Sequence, residues 1–206
     1  MSTVLAVATP QAIVIGSETL LMQGETRLGH AYGDNPKLYT VGHSCIGLTG
    51  TVAHYSALIL ALRSLGEDCR LGSVEQVFET FNRVHRKLKD EFFLNPKKQP
   101  DDAYEANHIS ALVANGSGLY GVYAHREVLR FDRFWANGTG RPYALGAMHC
   151  AWNAAQDSGA APDALAIARQ GLGAAMEFDR ASGGAMRLYR FMPGSDAGPE
   201  CLTPPT

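Results

Sequence analysis

The sequence has 206 residues, 46% of them hydrophobic and 18% charged, and a formal net charge of −2. This balance fits one globular domain with a sizeable core and excludes a disordered chain. The charge gives no reason to expect nucleic-acid binding, and no apolar window approaches a transmembrane span. No secretion signal is visible and the four cysteines are scattered, so we expect a cytoplasmic protein with reduced thiols.

The first half of the chain predicts strands followed by two helices. Two nearly continuous apolar runs flank Thr9-Pro10-Gln11, which is typical of strands in a sheet covered on both faces. A second hairpin turns at Gly42-His43-Ser44. The first helix ends at Gly66, and the second begins at Ser73, where Gln76 completes a capping box. The predicted elements are strands at 3–8, 12–17, 37–41 and 45–49 and helices at 52–65 and 73–94.

The second half repeats this order. Asn115-Gly116-Ser117-Gly118 separates two apolar runs, which is a strong hairpin signal, and the strand after them should continue the same sheet. Pro142 and Pro162 lie near the starts of two further helices. The tail from Pro193 is rich in Pro and Gly, and we expect it to be poorly ordered. The predicted elements are strands at 108–114, 119–124, 128–135 and 186–191 and helices at 142–156 and 162–178.

The alternation of strand groups with helix pairs predicts a layered single domain. Both strand groups are too apolar for a sheet that is open to water on one face. Two packed sheets, with a helix pair outside each, satisfy the whole pattern.

The N-terminus carries the first chemical signal. If Met1 is removed, Ser2 bears a hydroxyl and a free α-amine on one Cα, so a nucleophile and a base lie in one residue. The first strand would hold this residue at the end of a covered sheet. Many proteins begin with Met-Ser without any such role, so the signal depends on residues elsewhere in the chain.

Six short motifs, the N-terminus among them, occur in the order found in proteasome β-type subunits and HslV. They resemble that family's nucleophile, acidic strand end, lysine, oxyanion glycine, Gly-Ser-Gly and Asp-x-x-Ser-Gly-Gly motifs. The six are Ser2-Thr3-Val4, Ile13-Val14-Ile15-Gly16-Ser17-Glu18, Lys37-Leu38-Tyr39, Leu48-Thr49-Gly50, Asn137-Gly138-Thr139-Gly140 and Asp179-Arg180-Ala181-Ser182-Gly183-Gly184. The resemblance runs from Ser2 to about Phe191. It implies an α+β N-terminal nucleophile hydrolase fold, a four-layer αββα sandwich of two mainly antiparallel sheets.

The resemblance implies a role for each matching residue. Ser2 Oγ would attack the scissile carbonyl, and the amine of the same residue would accept the proton. Lys37 would favour the developing alkoxide, and Glu18 would pair with it and hold it in place. The Gly50 N–H would donate to the tetrahedral oxyanion. Three further residues would surround the amine: Thr139, Asp179 and Ser182.

An extended substrate would lie between residues 20–22 and 48–52 and pair its backbone with the strand edges. Apolar side chains from both segments would form the P1 pocket. The predicted substrate-binding residues are Leu20, Leu21, Met22, Leu48 and Val52.

Some features depart from the usual family pattern. Ser2 replaces the usual threonine and lacks the methyl that restricts χ1, so we expect slower turnover than with threonine. Thr139 stands where serine is usual. No propeptide precedes Ser2 beyond Met1, as in HslV, and the loops at 24–35 and 94–107 are longer than in HslV. These features point to a divergent bacterial branch such as the betaproteobacterial proteasome homologues.

The resemblance implies a self-compartmentalising peptidase that cleaves peptides or unfolded proteins inside a homo-oligomeric double ring of twelve or fourteen subunits. No cofactor is implied. The histidines lack metal-site spacing and no Gly-rich phosphate loop is present, so a ring ATPase unfoldase would be a separate partner, suggested by analogy alone. Two alternatives stay open: a non-catalytic ring scaffold, and a small-molecule amidase of the same nucleophile class.

Overall fold

The computed structural model describes residues 2–28, 36–94, 109–124 and 127–203. Its strands are β1 Thr3–Ala8, β2 Ile13–Glu18, β3 Leu21–Gln23, β4 Thr26–Leu28, β5 Leu38–Val41, β6 Ser44–Thr49, β7 Ser110–Asn115, β8 Gly118–Val122, β9 Val128–Phe131, β10 Phe134–Gly138, β11 Met186–Phe191 and β12 Glu200–Cys201. Its helices are α1 Ala53–Ser64, α2 Val74–Asp90, α3 Arg141–Asp157 and α4 Ala164–Phe178, with a short 3-10 turn at Gly66–Asp68. Most of the predicted loops 24–35 and 94–107, and the start of the strand at 108–114, lie outside the described residues.

Two five-stranded antiparallel sheets stack face to face. Their strand orders are β10-β1-β2-β11-β12 and β5-β6-β7-β8-β9. Val4 and Ile15 of the first sheet and Leu112 of the second share one core cluster between the sheets. Helices α3 and α4 cover the outer face of the first sheet, and α1 and α2 cover the outer face of the second. The predicted fold class, two packed sheets between two helix pairs, is therefore confirmed.

Strand β1 lies inside the first sheet, between β2 and β10. Its residues Val4, Leu5, Ala6 and Val7 are completely buried because both faces of the sheet are covered. The pairing of Thr3 with Gly138 brings the start of β1 to the end of β10. The residue that precedes β1 is therefore tied to a rigid sheet on both sides.

The predicted single strand at 128–135 is wrong in one respect. The apolar run is interrupted at Asp132 and Arg133, so that β9 completes the second sheet while β10 crosses to the first and pairs with β1. The rings of Phe131 and Trp135 stack across this crossing, with centroids 4.7 Å apart. Both sheets contribute apolar residues to the core between them, so hydrophobicity alone could not show that the chain changes sheets.

Two other segments also differ from the sequence expectations. A small separate hairpin of β3 and β4 turns at Gly24-Glu25, inside a stretch expected to be loop. The tail is described as far as Thr203, and there it has defined partners, because β12 pairs with β11 and Leu202 N donates to Leu188 O at 2.9 Å. The open edge of β11 supplies these partners, which the Pro- and Gly-rich composition does not reveal.

Helix α2 begins as predicted, because the Ser73 hydroxyl accepts a hydrogen bond from Gln76 N at 3.2 Å. The Gln76 side chain accepts from Gly72 N at 3.0 Å, so it reaches one residue beyond the usual capping-box partner. Within the described ranges, no helix combines the length and apolar character needed to cross a membrane.

Candidate active site

Ser2 lies just before β1 and is only 3% exposed. Its carbonyl oxygen accepts a hydrogen bond from Thr139 N at 2.9 Å, and the following amide, Thr3 N, donates to Glu18 Oε1 at 3.0 Å. Residue 2 is thus held through its own carbonyl and through the amide that follows it.

A buried ion pair lies beside this residue. Lys37 Nζ donates to Glu18 Oε1 and, at 2.8 Å, to the carbonyl oxygen of Leu20. The two charged side chains are 4% and 0% exposed. The Glu18 carboxylate also accepts from the amides of Thr3, Leu20 and Gly183, at 3.0, 2.7 and 3.3 Å. These bonds satisfy the carboxylate and offset the cost of burying its charge.

Two opposing effects act on the ammonium of Lys37. Burial lowers its pKa below that of a free lysine, while the charges of Glu18 and Asp179 raise it, and the net direction is downward. The group therefore releases its proton more readily than an exposed lysine does. Glu18 Oε1 binds both Lys37 Nζ and Thr3 N, so the ammonium belongs to the same hydrogen-bonded cluster as the backbone next to Ser2.

A chain of hydrogen-bonded hydroxyl groups reaches Thr3, the residue after Ser2. Thr139 Oγ1 and Ser182 Oγ each donate to Asp179 Oδ2 at 2.7 Å. Ser182 Oγ is also 2.7 Å from Thr3 Oγ1. The structure thus brings together the three residues predicted around the amine, at the end of β10 and in the loop after α4.

Gly50 follows β6 with a φ of 115°, in the region that favours glycine. A Cβ built on Gly138 would overlap the Ser2 carbonyl and lie 3.3 Å from Thr49 Cγ2. The end of β6 and residue 2 are therefore neighbours across the two sheets, which puts Gly50 one residue from this contact.

The predicted substrate-binding residues differ in exposure. Leu20 and Leu48 are buried, Leu21 and Met22 are half-buried, and Val52 is exposed. Leu48 packs in the core beneath α1 and α2, so its side chain offers no open apolar surface, and its amide donates to the Lys37 carbonyl at 2.8 Å. Its carbonyl accepts a hydrogen bond from the Tyr55 hydroxyl at 3.1 Å.

The sequence reasoning missed two polar groups of this cluster, the Thr3 hydroxyl and the Leu20 carbonyl, and it missed the Tyr55 hydroxyl that donates to the Leu48 carbonyl. Tyr55 has the spacing of an apolar core residue of α1, and its ring is buried there. The available signal was its hydroxyl, which needs a partner when the ring is buried. Burial raises the pKa of Tyr55 to about 12, so the group stays protonated at neutral pH. Across the described ranges, no three His, Cys, Asp or Glu side chains are grouped to hold a metal ion.

Known structures of the same shape identify the family of this chain, although no protein-family model and no curated protein matches it. BPH of Thiobacillus denitrificans in complex with epoxomicin is 34% identical, with a TM-score of 0.82, over 94% of this chain and 100% of that chain. A second BPH structure from that organism gives 34% identity and a TM-score of 0.81, over 92% and 97% of the two chains. HslV of Trypanosoma brucei is 18% identical with a TM-score of 0.66, over 92% of this chain and 99% of that chain, and this likeness shows the fold alone. The identity and coverage to BPH show that the chain belongs to the betaproteobacterial proteasome homologues, a family of proteasome-like N-terminal nucleophile hydrolases.

Proposed function

We propose that this protein is an endopeptidase whose nucleophile is the hydroxyl of Ser2 after removal of Met1. The observation that carries the proposal is the buried pair of Lys37 and Glu18, which is hydrogen-bonded into the backbone beside Ser2. Burying a lysine is costly, and perturbed charges of this kind concentrate at functional sites. The BPH of Thiobacillus denitrificans is bound by epoxomicin, which supports a reactive N-terminus in this family.

The geometry supports the following reaction. Ser2 Oγ attacks the scissile carbonyl carbon while its proton passes to the α-amine, which has an ordinary pKa of about 7.7–8.0. The positive charge of Lys37 stabilises the developing alkoxide, and the amide of Gly50 donates to the oxyanion. The carbon–nitrogen bond then breaks, and the leaving amine takes the proton. Water hydrolyses the remaining ester and restores the Ser2 hydroxyl.

Asp179 and the two hydroxyls bound to it orient the amine in this proposal. Asp179 accepts from two hydroxyls, Thr139 Oγ1 and Ser182 Oγ, so its carboxylate is fixed in place. A fixed carboxylate next to a terminal amine favours the ammonium that forms when the proton arrives from Ser2.

The substrate would be an extended peptide or an unfolded protein that lies between residues 20–22 and 48–52. Leu21, Met22 and Val52 have the accessible side chains that could contact it. A cytoplasmic homo-oligomeric double ring, fed by a separate ATPase, would restrict entry to unfolded chains. Large exposed apolar side chains on helices, among them Leu60, Tyr143 and Phe178, support subunit contacts. Native mass spectrometry distinguishes the ring from the monomer or dimer that the amidase alternative predicts.

The Glu18→Gln variant tests the assigned role of Lys37 through the pH dependence of cleavage. If cleavage needs the positive charge, kcat/KM should fall as the pH rises through the pKa of Lys37. Because burial lowers that pKa, the fall should occur at a pH below the ordinary lysine pKa of about 10.4. The charge of Glu18 opposes this effect of burial. Its removal therefore lowers the pKa of Lys37 further and moves the alkaline fall in kcat/KM to lower pH. The measurement is kcat/KM for an unstructured fluorogenic peptide across the alkaline range.

The matched control is Glu25→Gln, which neutralises an exposed carboxylate 3.9 Å from Arg180. It should not change the pH at which kcat/KM falls. An alkaline fall in kcat/KM that occurs at the same or a higher pH in Glu18→Gln would contradict the assigned role of Lys37.

A further inference from the structure

The hairpin of β3 and β4 has two different faces. Directly opposite residues of an antiparallel pair point to the same face, and successive residues of a strand point to opposite faces. Leu21 pairs with Leu28, so one face is apolar, whereas Met22 pairs with Arg27, so the other face carries a positive charge. The hairpin therefore offers two kinds of surface to a chain that lies beside it.

The charged face is turned towards the loop that follows α4. A Cβ built on Gly183 would lie 2.9 Å from Arg27 Nη2 and 3.6 Å from Leu20 Cδ2, so the guanidinium lies against this glycine. Gly183 N in turn donates to Glu18 Oε2 at 3.3 Å. The positive charge of Arg27 is thus beside the backbone that binds the buried ion pair of the site.

The guanidinium of Arg27 has donors to spare. The side chain is exposed, and it carries five N–H donors in a planar fork that matches a carboxylate. Among the described residues, no hydrogen bond or ion pair engages this guanidinium. In the neighbouring loop, by contrast, Arg180 is 3.9 Å from the carboxylate of Glu25. Arg27 is therefore available to an acidic group that another molecule brings.

The open edge of β3 is where the proposed substrate would add a strand. Within the described part of the chain, β3 has β4 as its one strand partner, so its other edge can pair with an extended peptide. Neighbouring strands lie about 4.8 Å apart, so the peptide would lie about 10 Å from β4, across β3. The long side chains of Arg27 and of a substrate glutamate together span this separation.

We propose that Arg27 is a specificity-determining residue that binds an acidic side chain of the substrate. The proposal rests on the proposed function, because it needs a peptide beside β3. Residues are counted from the scissile bond towards the substrate N-terminus, and P1 would contact Leu21. P3 shares that apolar face, so the acidic residue belongs at P2 or P4, on the face of Met22 and Arg27.

The test uses a fluorogenic peptide in which one glutamate is moved from P1 to P4, and each peptide is compared with its glutamine counterpart. We expect glutamate at P2 or P4 to raise kcat/KM by about threefold to tenfold over glutamine, the effect of one accessible charged contact. Glutamate at P1 or P3 should give no such gain. Added salt should reduce the preference, because it screens exposed charges.

Three variants assign the preference to Arg27. Arg27→Met keeps most of the side-chain volume over Gly183 and should bring the ratio of kcat/KM for the glutamate and glutamine peptides close to one. Arg27→Lys keeps the charge without the fork and should retain part of the preference. Arg27→Glu should reverse it, so that lysine is favoured at the same position. The matched control Arg83→Met removes an exposed arginine on α2, 3.0 Å from Asp68, and should leave every ratio unchanged.

Each outcome decides one question. A ratio near one at all four positions of the parent, or a preference at P1 or P3, would overturn the proposal. An equal loss of cleavage for the glutamate and glutamine peptides in Arg27→Met would assign Arg27 a structural role in the hairpin and overturn it as well. If Ser2→Ala is inactive in either case, only this proposal fails. If Ser2→Ala cleaves peptide like the parent, the proposed function fails instead.

Discussion

Ser2→Ala is expected to lower peptide cleavage by a factor of about 10³ or more, the largest effect of any single substitution in the site. The change deletes the oxygen that forms the acyl bond and leaves the amine, Lys37 and Gly50 in place. The next hydroxyl along the chain, Thr3 Oγ1, is hydrogen-bonded to Ser182 Oγ at 2.7 Å and has no free α-amine on its own residue, so it cannot substitute. Alanine is also small, so removal of Met1 should proceed as before.

The measurement is turnover of an unstructured peptide by protein whose intact mass shows Met1 removed. The matched control is Ser44→Ala, which deletes a similarly buried hydroxyl at the far end of β6, where it accepts from Asn115 at 3.1 Å. This control should cleave at the parent rate. Ser2→Ala activity above about a tenth of the parent value would exclude Ser2 as the nucleophile.

Lys37→Met is expected to have the second largest effect, a fall in kcat of about 10²- to 10⁴-fold. Methionine keeps most of the volume and removes the charge that stabilises the alkoxide. The same change leaves Glu18 completely buried without its ion-pair partner, so the free energy of unfolding should fall by about 3–5 kcal/mol. Activity and stability are therefore both lost, and a second variant must separate them.

The double variant Glu18→Gln/Lys37→Met removes both charges together. It should recover most of the stability, measured by urea unfolding, because no buried charge is left without a partner. It should stay inactive, because the positive charge is still missing. The control Lys87→Met breaks a partly exposed i,i+4 pair with Glu91 at the end of α2, and it should cost at most about 0.5 kcal/mol and leave kcat unchanged. Recovery of cleavage by the double variant would show that Lys37 serves folding alone.

The layers of the fold follow from the sequence because each strand and helix has its own local pattern. The apolar runs around Thr9-Pro10-Gln11, the turn at 115–118 and the helix end at Gly66 all occur where the pattern puts them. The crossing between β9 and β10 could not be predicted in this way. It depends on which sheet edge is free for a strand that is apolar in either position, and that is a property of the assembled fold.

The order of the motifs located the residues of the candidate site, but it could not predict their contacts. Glu18 and Lys37 occur at strand ends, where a lone charge usually forms a surface ion pair, and only the fold makes them a buried pair. Tyr55 has the spacing of an ordinary core residue of α1, and that spacing does not show that its hydroxyl donates to the Leu48 carbonyl in β6. Leu48 was expected to line an open pocket, but its side chain packs into the core beneath α1.

Covalent labelling by an epoxyketone such as epoxomicin measures the central claim most directly, since this reagent bonds to the hydroxyl and the amine of one terminal residue. Assembled protein with Met1 removed would be incubated with the inhibitor, digested and analysed by mass spectrometry. The expected result is one adduct on the N-terminal peptide that begins at Ser2, formed in proportion to the loss of cleavage and absent from Ser2→Ala. Full inhibition with an unmodified Ser2 peptide, or active protein that still carries Met1, would contradict it.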